Sequence, residues 1–304
     1  MRKWRASLLL FVLASIAVVS AAAAAEKAVS GLILSAGTEA RGLAMGDAQA
    51  GVIDATSAQL NPAAATALKV PRVSAFLRPA PFGEMSGNVG YAHPFGFGTL
   101  VGAVTYHTLG SAEFVTSDGT AKSVNAGTDI VIQAGFGRPV TDTIKAGVNV
   151  KYLSSELVET YSASSVVVDA GMNAALPVEG LTAGLVLRNL GSGLKYYLTS
   201  EKLPTEVRAG GAYATSVSGV DILGAADFIY GVSAQTTGAG VGVEATWNKM
   251  ISVRVGYLAG NDLKSIVAGV GFVFNGIRLD YAAEPMSNSF GMGNGVSLSY
   301  DFRP

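Results

Sequence analysis

Apolar and polar residues alternate with a period of two along most of the chain beyond residue 70. In residues 145–152, KAGVNVKY, Ala, Val, Val and Tyr fall on one face, and Lys, Gly, Asn and Lys fall on the other. The same pattern recurs in residues 206–213, 251–257, 277–284 and 296–302. Strict alternation indicates β-strands with one apolar and one polar face.

The alternation predicts fourteen strands, at about residues 72–78, 86–93, 99–109, 128–138, 144–154, 165–176, 181–190, 205–214, 220–230, 238–247, 250–259, 263–274, 276–284 and 294–302. Two architectures use such strands: a soluble β-sandwich with an apolar core, and a transmembrane β-barrel with an apolar outer face. Most of the predicted strands approach the ~9–11 residues that a tilted strand needs to cross a bilayer, whereas soluble strands average ~5–6. Their number and length favour the barrel.

The connections between these strands alternate in length, which a sandwich would not require. Odd-numbered connections are long, at about residues 110–127, 155–164, 191–204 and 285–293, and even-numbered ones are short, at 139–143, 177–180, 248–249 and 275–276. Bacterial barrels have short periplasmic turns and longer outer loops. The chain is therefore expected to enter and leave the barrel on the periplasmic side, with the odd-numbered loops outside. The strands are expected to close because a lipid-exposed sheet edge leaves backbone groups unpaired.

The N-terminus has the pattern of a secretory signal peptide. Arg2, Lys3 and Arg5 precede an apolar run over residues 8–19, and small residues follow to Ala25. This order predicts export and cleavage after residue 25. The alternative, an uncleaved membrane anchor over residues 8–25, also takes the rest of the chain out of the cytoplasm.

Composition excludes several classes of function. Only 14% of residues are charged, against about 25% in soluble domains, and the net charge of −1 provides no basic face for nucleic acid. The absence of cysteine excludes disulfides, thiolate zinc sites, a Cys nucleophile and lipid attachment through Cys.

Catalytic chemistry is nearly absent from the sequence, and we predict no enzyme, cofactor or metal site. His107 is expected to face the lumen near Asp129, but no further groups converge there as a catalytic site requires. His93 is expected at a turn or interface. The Gly-rich runs at 96–98 and 238–242 lie between strands, so they are interpreted as bends or crowded lumenal positions and not as phosphate-binding loops.

Residues 35–65 carry a family resemblance. The segment has Gly37, Arg41, Gly42, Met45 and Gly46, followed by Asn61, Pro62 and Ala63. It resembles the N-terminal signature of the PorV/PorQ family of outer-membrane proteins, which is similar to the FadL-type long-chain fatty acid transporters. Two positions depart from that signature: Leu60 replaces an aromatic residue, and Ala64-Ala65 replaces Gly-Leu.

The resemblance implies an all-β fold, a closed antiparallel transmembrane barrel of about fourteen strands with a small N-terminal helical plug. Residues 26–70 would form the plug and residues 71–304 the barrel of a bacterial outer-membrane protein. Within the plug, Asn61 can cap a short helix that begins at Pro62. Arg41 can pair with a lumenal carboxylate, for which the candidates are Asp169, Asp227 and Glu244.

The resemblance also implies two functions, and a purely structural barrel is a third possibility. The first is service to type IX-like secretion, with secreted cargo proteins and secretion components as partners. The second is transport of an amphipathic small molecule, such as a long-chain fatty acid, through the plug and a gap in the wall. Outer-membrane lipids are expected partners in either case. Expected ligand or partner contacts in the outer loops are Tyr196, Tyr197, Leu198 and Phe290, with Met286 and Met292 beside them.

Overall fold

The structure is a computed structural model, and it describes residues 27–80, 83–115, 119–260, 263–285 and 292–302. The predicted signal peptide lies outside the described residues. The chain forms a closed antiparallel barrel of fourteen strands, which confirms the fold predicted from the alternation. No helix within the described residues is long and apolar enough to cross a membrane.

Sixteen strands are present in the described residues, and fourteen of them form the barrel. The bounds are β1 Arg72–Pro79, β2 Met85–Phe95, β3 Gly98–Thr108, β4 Ser111–Val115, β5 Ala121–Asn125, β6 Gly127–Pro139, β7 Ile144–Leu157, β8 Tyr161–Ala175, β9 Leu181–Gly191, β10 Glu206–Val217, β11 Val220–Gly231, β12 Thr236–Trp247, β13 Ile251–Gly260, β14 Leu263–Phe274, β15 Ile277–Pro285 and β16 Met292–Asp301. Strands β4 and β5 form a separate two-stranded sheet within the third connection.

Each barrel strand pairs with the next along the chain, and β1 closes the ring against β16. The closing register runs from Arg72 opposite Asp301 to Leu77 opposite Val296. Closure leaves no strand edge of the ring facing lipid, which is the condition for a sheet to span a bilayer. Hereafter the end with the odd-numbered connections is called the outer end, and the other is called the periplasmic end.

One expected outer loop is much shorter than its sequence suggests. The polar stretch at 155–164 was expected as a long connection, but β7 and β8 continue to Leu157 and Tyr161, so only residues 158–160 connect them. Ser, Thr and Glu side chains reach water on both faces once the strands leave the membrane. A polar run can therefore belong to a strand extension as well as to a loop.

The outward face of the barrel is apolar, with aromatic rings near its periplasmic end. Val148 and Val150 are each about half exposed because their outer surfaces face lipid. Near the periplasmic end, Phe95 stacks on Phe97 with ring centroids 5.3 Å apart, and Phe97 lies 6.0 Å from Phe136. His93, expected at a turn or interface, lies in this row, 4.4 Å from Phe95. Aromatic rings at this level are typical of a membrane–water interface.

The plug, here residues 27–70, lies inside the lumen. Its helical segments are short: 3₁₀ helices at Leu32–Ser35, Ala55–Ser57 and Pro62–Ala67, and an α-helix at Ala40–Ala44. The side-chain oxygen of Asn61 accepts a hydrogen bond of 3.1 Å from the Ala63 amide, and Pro62 is the first helical residue. This confirms the predicted cap, which fixes where the last plug helix begins.

Candidate lumenal binding site

The plug backbone lies directly against glycines on the inner wall. A Cβ atom at Gly184 would overlap the carbonyl oxygen of Ala50, and one at Gly240 would overlap that of Gly46. Gly46 also has a φ of 64°, a left-handed conformation that glycine adopts without strain. The Gly-rich run at 238–242 is thus a place of close backbone approach, as the sequence suggested.

An ion pair joins the plug to the wall. Arg41 donates from Nε and Nη2 to the two carboxylate oxygens of Glu244, each at 2.8 Å. Its Nη1 lies 3.3 Å from Asp54 of the plug. Burial alone would raise the pKa of the Asp54 carboxyl, but Arg41 and Arg278 together hold that pKa well below its usual range. Of the three carboxylates predicted to pair with Arg41, Glu244 is the partner found.

The other two predicted carboxylates have different partners. Asp227 accepts hydrogen bonds of 2.8 Å from the amides of Gln49 and Ala50, which holds a second point of the plug. Asp169 lies 2.6 Å from the ammonium nitrogen of Lys151 on the wall. Both carboxylates are buried and bonded, as buried charges must be.

Two arginines continue the charged layer toward the outer end. Arg208 lies 2.6 Å from Asp47 of the plug and 2.8 Å from Glu206. Arg188 lies 2.6 Å from the same Glu206 and donates to the carbonyl oxygen of Leu34 at 2.9 Å. A polar and charged layer therefore fills the lumen up to Leu34.

Above this layer the lumen becomes apolar. Seven buried side chains from the plug, the wall and an outer loop pack together: Ile33, Leu34, Val131, Leu153, Val167, Leu194 and Leu203. Ala36, Ala163 and Tyr196 pack against them and are partly buried. We call these seven residues the apolar cluster. Leu153, Val167 and Leu194 are fully buried, so the cluster's own side chains fill the space.

The loop at residues 192–205 covers the apolar cluster. Leu194 and Glu201 exchange backbone hydrogen bonds of 2.9 and 2.7 Å, which fold the loop back on itself. Tyr196 donates from its hydroxyl to Ser155 Oγ at 2.7 Å, and burial raises the pKa of that phenol. The loop is therefore tied to β7 by one tyrosine.

The structure separates the outer-loop residues predicted as contacts. Tyr196 packs on the apolar cluster, whereas Tyr197 and Leu198 are 73% and 76% exposed and point away from it. Met292 begins β16 and is 53% exposed. Phe290 and Met286 lie outside the described residues. Leu194, Leu203, Ile33 and Leu34, which the sequence did not indicate, are buried members of the apolar cluster.

The wall beside the apolar cluster is irregular. Strand β8 pairs with β9 over residues 167–175, and the register skips Asp169, which lies opposite Arg188 and Asn189. At this β-bulge Asn189 has a φ of 59°, and its amide donates to Asp169 Oδ1 at 2.9 Å. Bulges locally disrupt the hydrogen-bond ladder.

Pairing between β8 and β9 ends just above the bulge. In the described strand pairs, residues 161–166 of β8 bond with β7 but not with β9. Instead, Ser165 donates from its hydroxyl to the carbonyl oxygen of Ser192, and Thr205 donates to that of Asn189 at 2.9 Å. We call the boundary between β8 and β9 the β8–β9 seam. The 192–205 loop covers its outer part.

His107 lies at the outer rim and not in a catalytic arrangement. Its ring nitrogens lie 3.4 Å from Asp129, as the sequence suggested, and 3.3 Å from Glu84. Ser155 donates to Asp129 and accepts from Tyr196, so the row of polar groups ends at the cluster. Within the described residues, no group of three or more His, Cys, Asp or Glu side chains could hold a metal ion.

Comparison with solved structures gives the fold a wider context. The P. putida toluene transporter TodX is similar to this chain with a TM-score of 0.67 and 12% identity, over 88% of this chain and 99% of TodX. The Ralstonia pickettii toluene transporter TbuX gives 0.64 and 12%, over 88% and 99%. A Pseudomonas aeruginosa FadL homologue gives 0.55 and 12%, over 88% and 98%. No protein-family model and no curated protein matches the sequence.

At 12% sequence identity, these similarities establish the fold of the chain and not its function. The chain has the fold of FadL-type outer-membrane barrels, and its apolar outer band places it in a bacterial outer membrane. The resemblance to the PorV/PorQ family stays a prediction. The chain therefore has the fold of FadL-type outer-membrane barrels, with a plugged lumen and an apolar cluster under an outer loop.

Proposed function

We propose that this protein carries hydrophobic small molecules across the outer membrane, without catalysis. The observation that carries the proposal is the apolar cluster, which is the largest of the four buried apolar clusters in the described residues and lies at the outer end of the lumen, under a loop. Apolar sites with a few placed polar groups are typical of small-molecule binding. The names of TodX and TbuX as toluene transporters support the same class of activity.

Binding requires the covering loop to move. Leu194 and Leu203 come from the 192–205 loop, whereas Val131, Leu153 and Val167 come from the wall. A hydrophobic molecule entering from outside would displace the two loop leucines and take their place on the wall. Burial of the incoming molecule offsets the exposure of the two displaced leucines, so the net cost of the exchange is small.

Passage straight down the lumen is unfavourable. Below the cluster the molecule would meet the Arg188–Glu206 and Lys151–Asp169 pairs, and below those the plug backbone packs directly against glycines of the wall. Disrupting buried ion pairs costs several kcal/mol. We therefore propose a sideways exit into the membrane at the bulge in the β8–β9 seam, just below the part of β8 (residues 161–166) that has no β9 partner and is covered by the loop.

The predicted role in secretion is a second candidate, favoured by a different observation. Tyr197 and Leu198 expose their side chains at the outer surface of the same loop. Exposed apolar residues at a loop tip suit contact with a protein partner. This role needs the outward surface of the loop and not the apolar cluster below it.

Native mass spectrometry of the protein gently extracted from its own membranes tests both candidates. A hydrophobic small molecule bound in stoichiometric amount, with no protein partner, is the result that transport predicts. Co-purified exported proteins without a small molecule would overturn transport in favour of secretion.

A matched pair of variants locates the binding. Leu203→Gln places an amide in the apolar cluster, and Leu198→Gln makes the same change at an exposed position of the same loop. Transport predicts that bound ligand falls at least about tenfold in the first variant and is retained in the second. Retention of ligand by Leu203→Gln would contradict binding at the cluster.

A further inference from the structure

We infer that the apolar cluster accepts neutral hydrophobic molecules and excludes those with an ionised carboxylate. The inference rests on the proposed function and names the substrate class of the same site. It follows from the buried charges directly beneath the cluster, Arg188 and Lys151, each of which already has its counter-charge in the wall.

The cations beneath the cluster are fully compensated. Arg188 is paired with Glu206 at 2.6 Å, and Lys151 with Asp169 at 2.6 Å, all with side chains less than a tenth exposed. Lys151 also donates to Asn189 at 3.2 Å. A ligand carboxylate would need a cation without a partner, and neither of these cations offers that.

Three buried donors at this level make no hydrogen bond in the described residues: Arg188 Nε, Gln133 Nε2 and Asn149 Nδ2. Arg188 Nε is buried and makes no hydrogen bond, although the charge of its guanidinium is balanced by Glu206. A neutral hydroxyl or carbonyl oxygen can accept this hydrogen bond without bringing a second negative charge next to Glu206. The site thus fits hydrocarbons and neutral molecules with one oxygen.

The rim above the cluster is acidic on the side formed by β3 and β6. Asp129 and Glu84 flank His107, so two negative carboxylates face a single imidazole, which can carry at most one positive charge. The hydroxyls of Ser155 and Tyr196 already donate, to Asp129 and to Ser155 respectively. An incoming anion therefore meets negative charge on this side of the rim, and in the cluster it would be a buried charge without a partner.

The test compares 1-octanol with octanoate, which share a chain length and differ in charge. Binding to the detergent-purified full-length protein is measured by equilibrium dialysis against protein-free micelles at neutral pH. We expect octanol to bind saturably and octanoate to bind at least about tenfold more weakly. Octanoate binding as tightly as octanol would overturn the inference and leave the transport proposal standing.

A gain-of-function variant gives a sharper result. Glu206→Gln removes the counter-charge of Arg188, while Arg208 keeps Asp47, so octanoate binding should strengthen about tenfold. The control is Glu284→Gln, which frees Arg78 at the outer end on the opposite side of the ring. An equal gain in both variants would overturn the inference.

Two outcomes separate this inference from the proposed function. If neither ligand binds the native protein, and Leu203→Gln changes nothing, the binding function itself fails. If Glu206→Gln does not give a barrel that migrates as folded on unheated gels, the octanol–octanoate comparison on the native protein decides alone.

Discussion

Arg41 of the plug and Glu244 of β12 form a two-point ion pair, with both nitrogen–oxygen distances at 2.8 Å. Their side chains are only 10% and 9% exposed, so each charge depends on the other. Arg254 also pairs with Glu244, and Asp280 pairs with Arg254 at 2.8 Å. The plug is therefore one member of a charge network that continues around the inner wall.

Removing the arginine of this pair should loosen the plug. Arg41→Met leaves Glu244 with Arg254 alone and removes one of the two cations that act on Asp54, and breaking a buried pair costs about 3–5 kcal/mol. We expect higher ion conductance in planar bilayers. Deletion of residues 38–65, which should leave a barrel that inserts but leaks small solutes, sets the upper limit.

The matched control is Arg78→Met, which breaks the half-buried Arg78–Glu284 pair near the outer end. It should leave conductance near that of the native barrel. Native conductance in both Arg41→Met and the 38–65 deletion would mean that residues 27–70 do not block the lumen.

The wall of this barrel was readable from the sequence because each strand repeats one simple pattern. Lipid requires apolar residues at every second position, and that requirement does not depend on neighbouring strands. The 155–164 stretch shows the limit of this pattern. Outside the membrane, strands and loops both carry polar residues, so the sequence does not distinguish them. The sequence likewise indicates three candidate carboxylates for Arg41 without selecting one. The choice depends on how deep the plug lies in the lumen, which the sequence does not encode as a pattern.

The apolar cluster was missed, although the sequence carries a signal for it. Wall residues of the cluster interrupt the alternation with consecutive apolar side chains: Ile130-Val131-Ile132, Tyr152-Leu153 and Val166-Val167-Val168. Register places these three runs side by side, with Ile132 opposite Tyr152 and Tyr152 opposite Val166. The covering leucines could not be found this way, because the path of a long loop leaves no period in the sequence.

Close packing at Gly184 should make this glycine hard to replace. Gly184→Ala puts a methyl group into the carbonyl of Ala50, so the plug must shift, at a cost of about 1–3 kcal/mol. Gly224→Ala is the control, because no atom lies within 4 Å of the added methyl. Thermal unfolding followed by circular dichroism should show a lower midpoint for the first variant alone. Equal midpoints would mean that the plug is not held against β9.

The hydroxyl of Tyr196 should hold the outer loop closed. Tyr196→Phe removes its hydrogen bond to Ser155, a net loss of about 0.5–1.5 kcal/mol, while the ring still packs on the cluster. We expect faster proteolytic cleavage within residues 192–205 and faster ligand release. Tyr197→Phe, at an exposed side chain, should behave as the native protein does. If both variants are cleaved at the native rate, the loop is held by its leucines alone.

Glu39 should make packing of the plug depend on pH. Burial, followed by the nearby Asp54 carboxylate, raises the pKa of Glu39 from 4.5 to about 8, although Arg72 and Arg41 act in the opposite direction. The carboxyl lines a small cavity with Arg278 and Asp280 and immediately precedes the Ala40–Ala44 helix. Between these two pKa values the unfolded segment has lost the proton that the packed segment keeps. Packing is therefore most stable below a pH of about 4.5 and weakens as the pH rises to about 8.

Hydrogen exchange of the amides in residues 40–45 measures this effect. From about pH 5 to about pH 9 the native protein should lose protection relative to Glu39→Gln, whose amide mimics the protonated carboxyl and carries no charge. Asp142→Asn, in the exposed periplasmic turn, should follow the native protein throughout. If Glu39→Gln loses protection with pH as steeply as the native protein does, the ionisation of Glu39 does not control the packing of this helix. The sensitivity would then belong to the Arg41 network, where Arg41→Met should remove it.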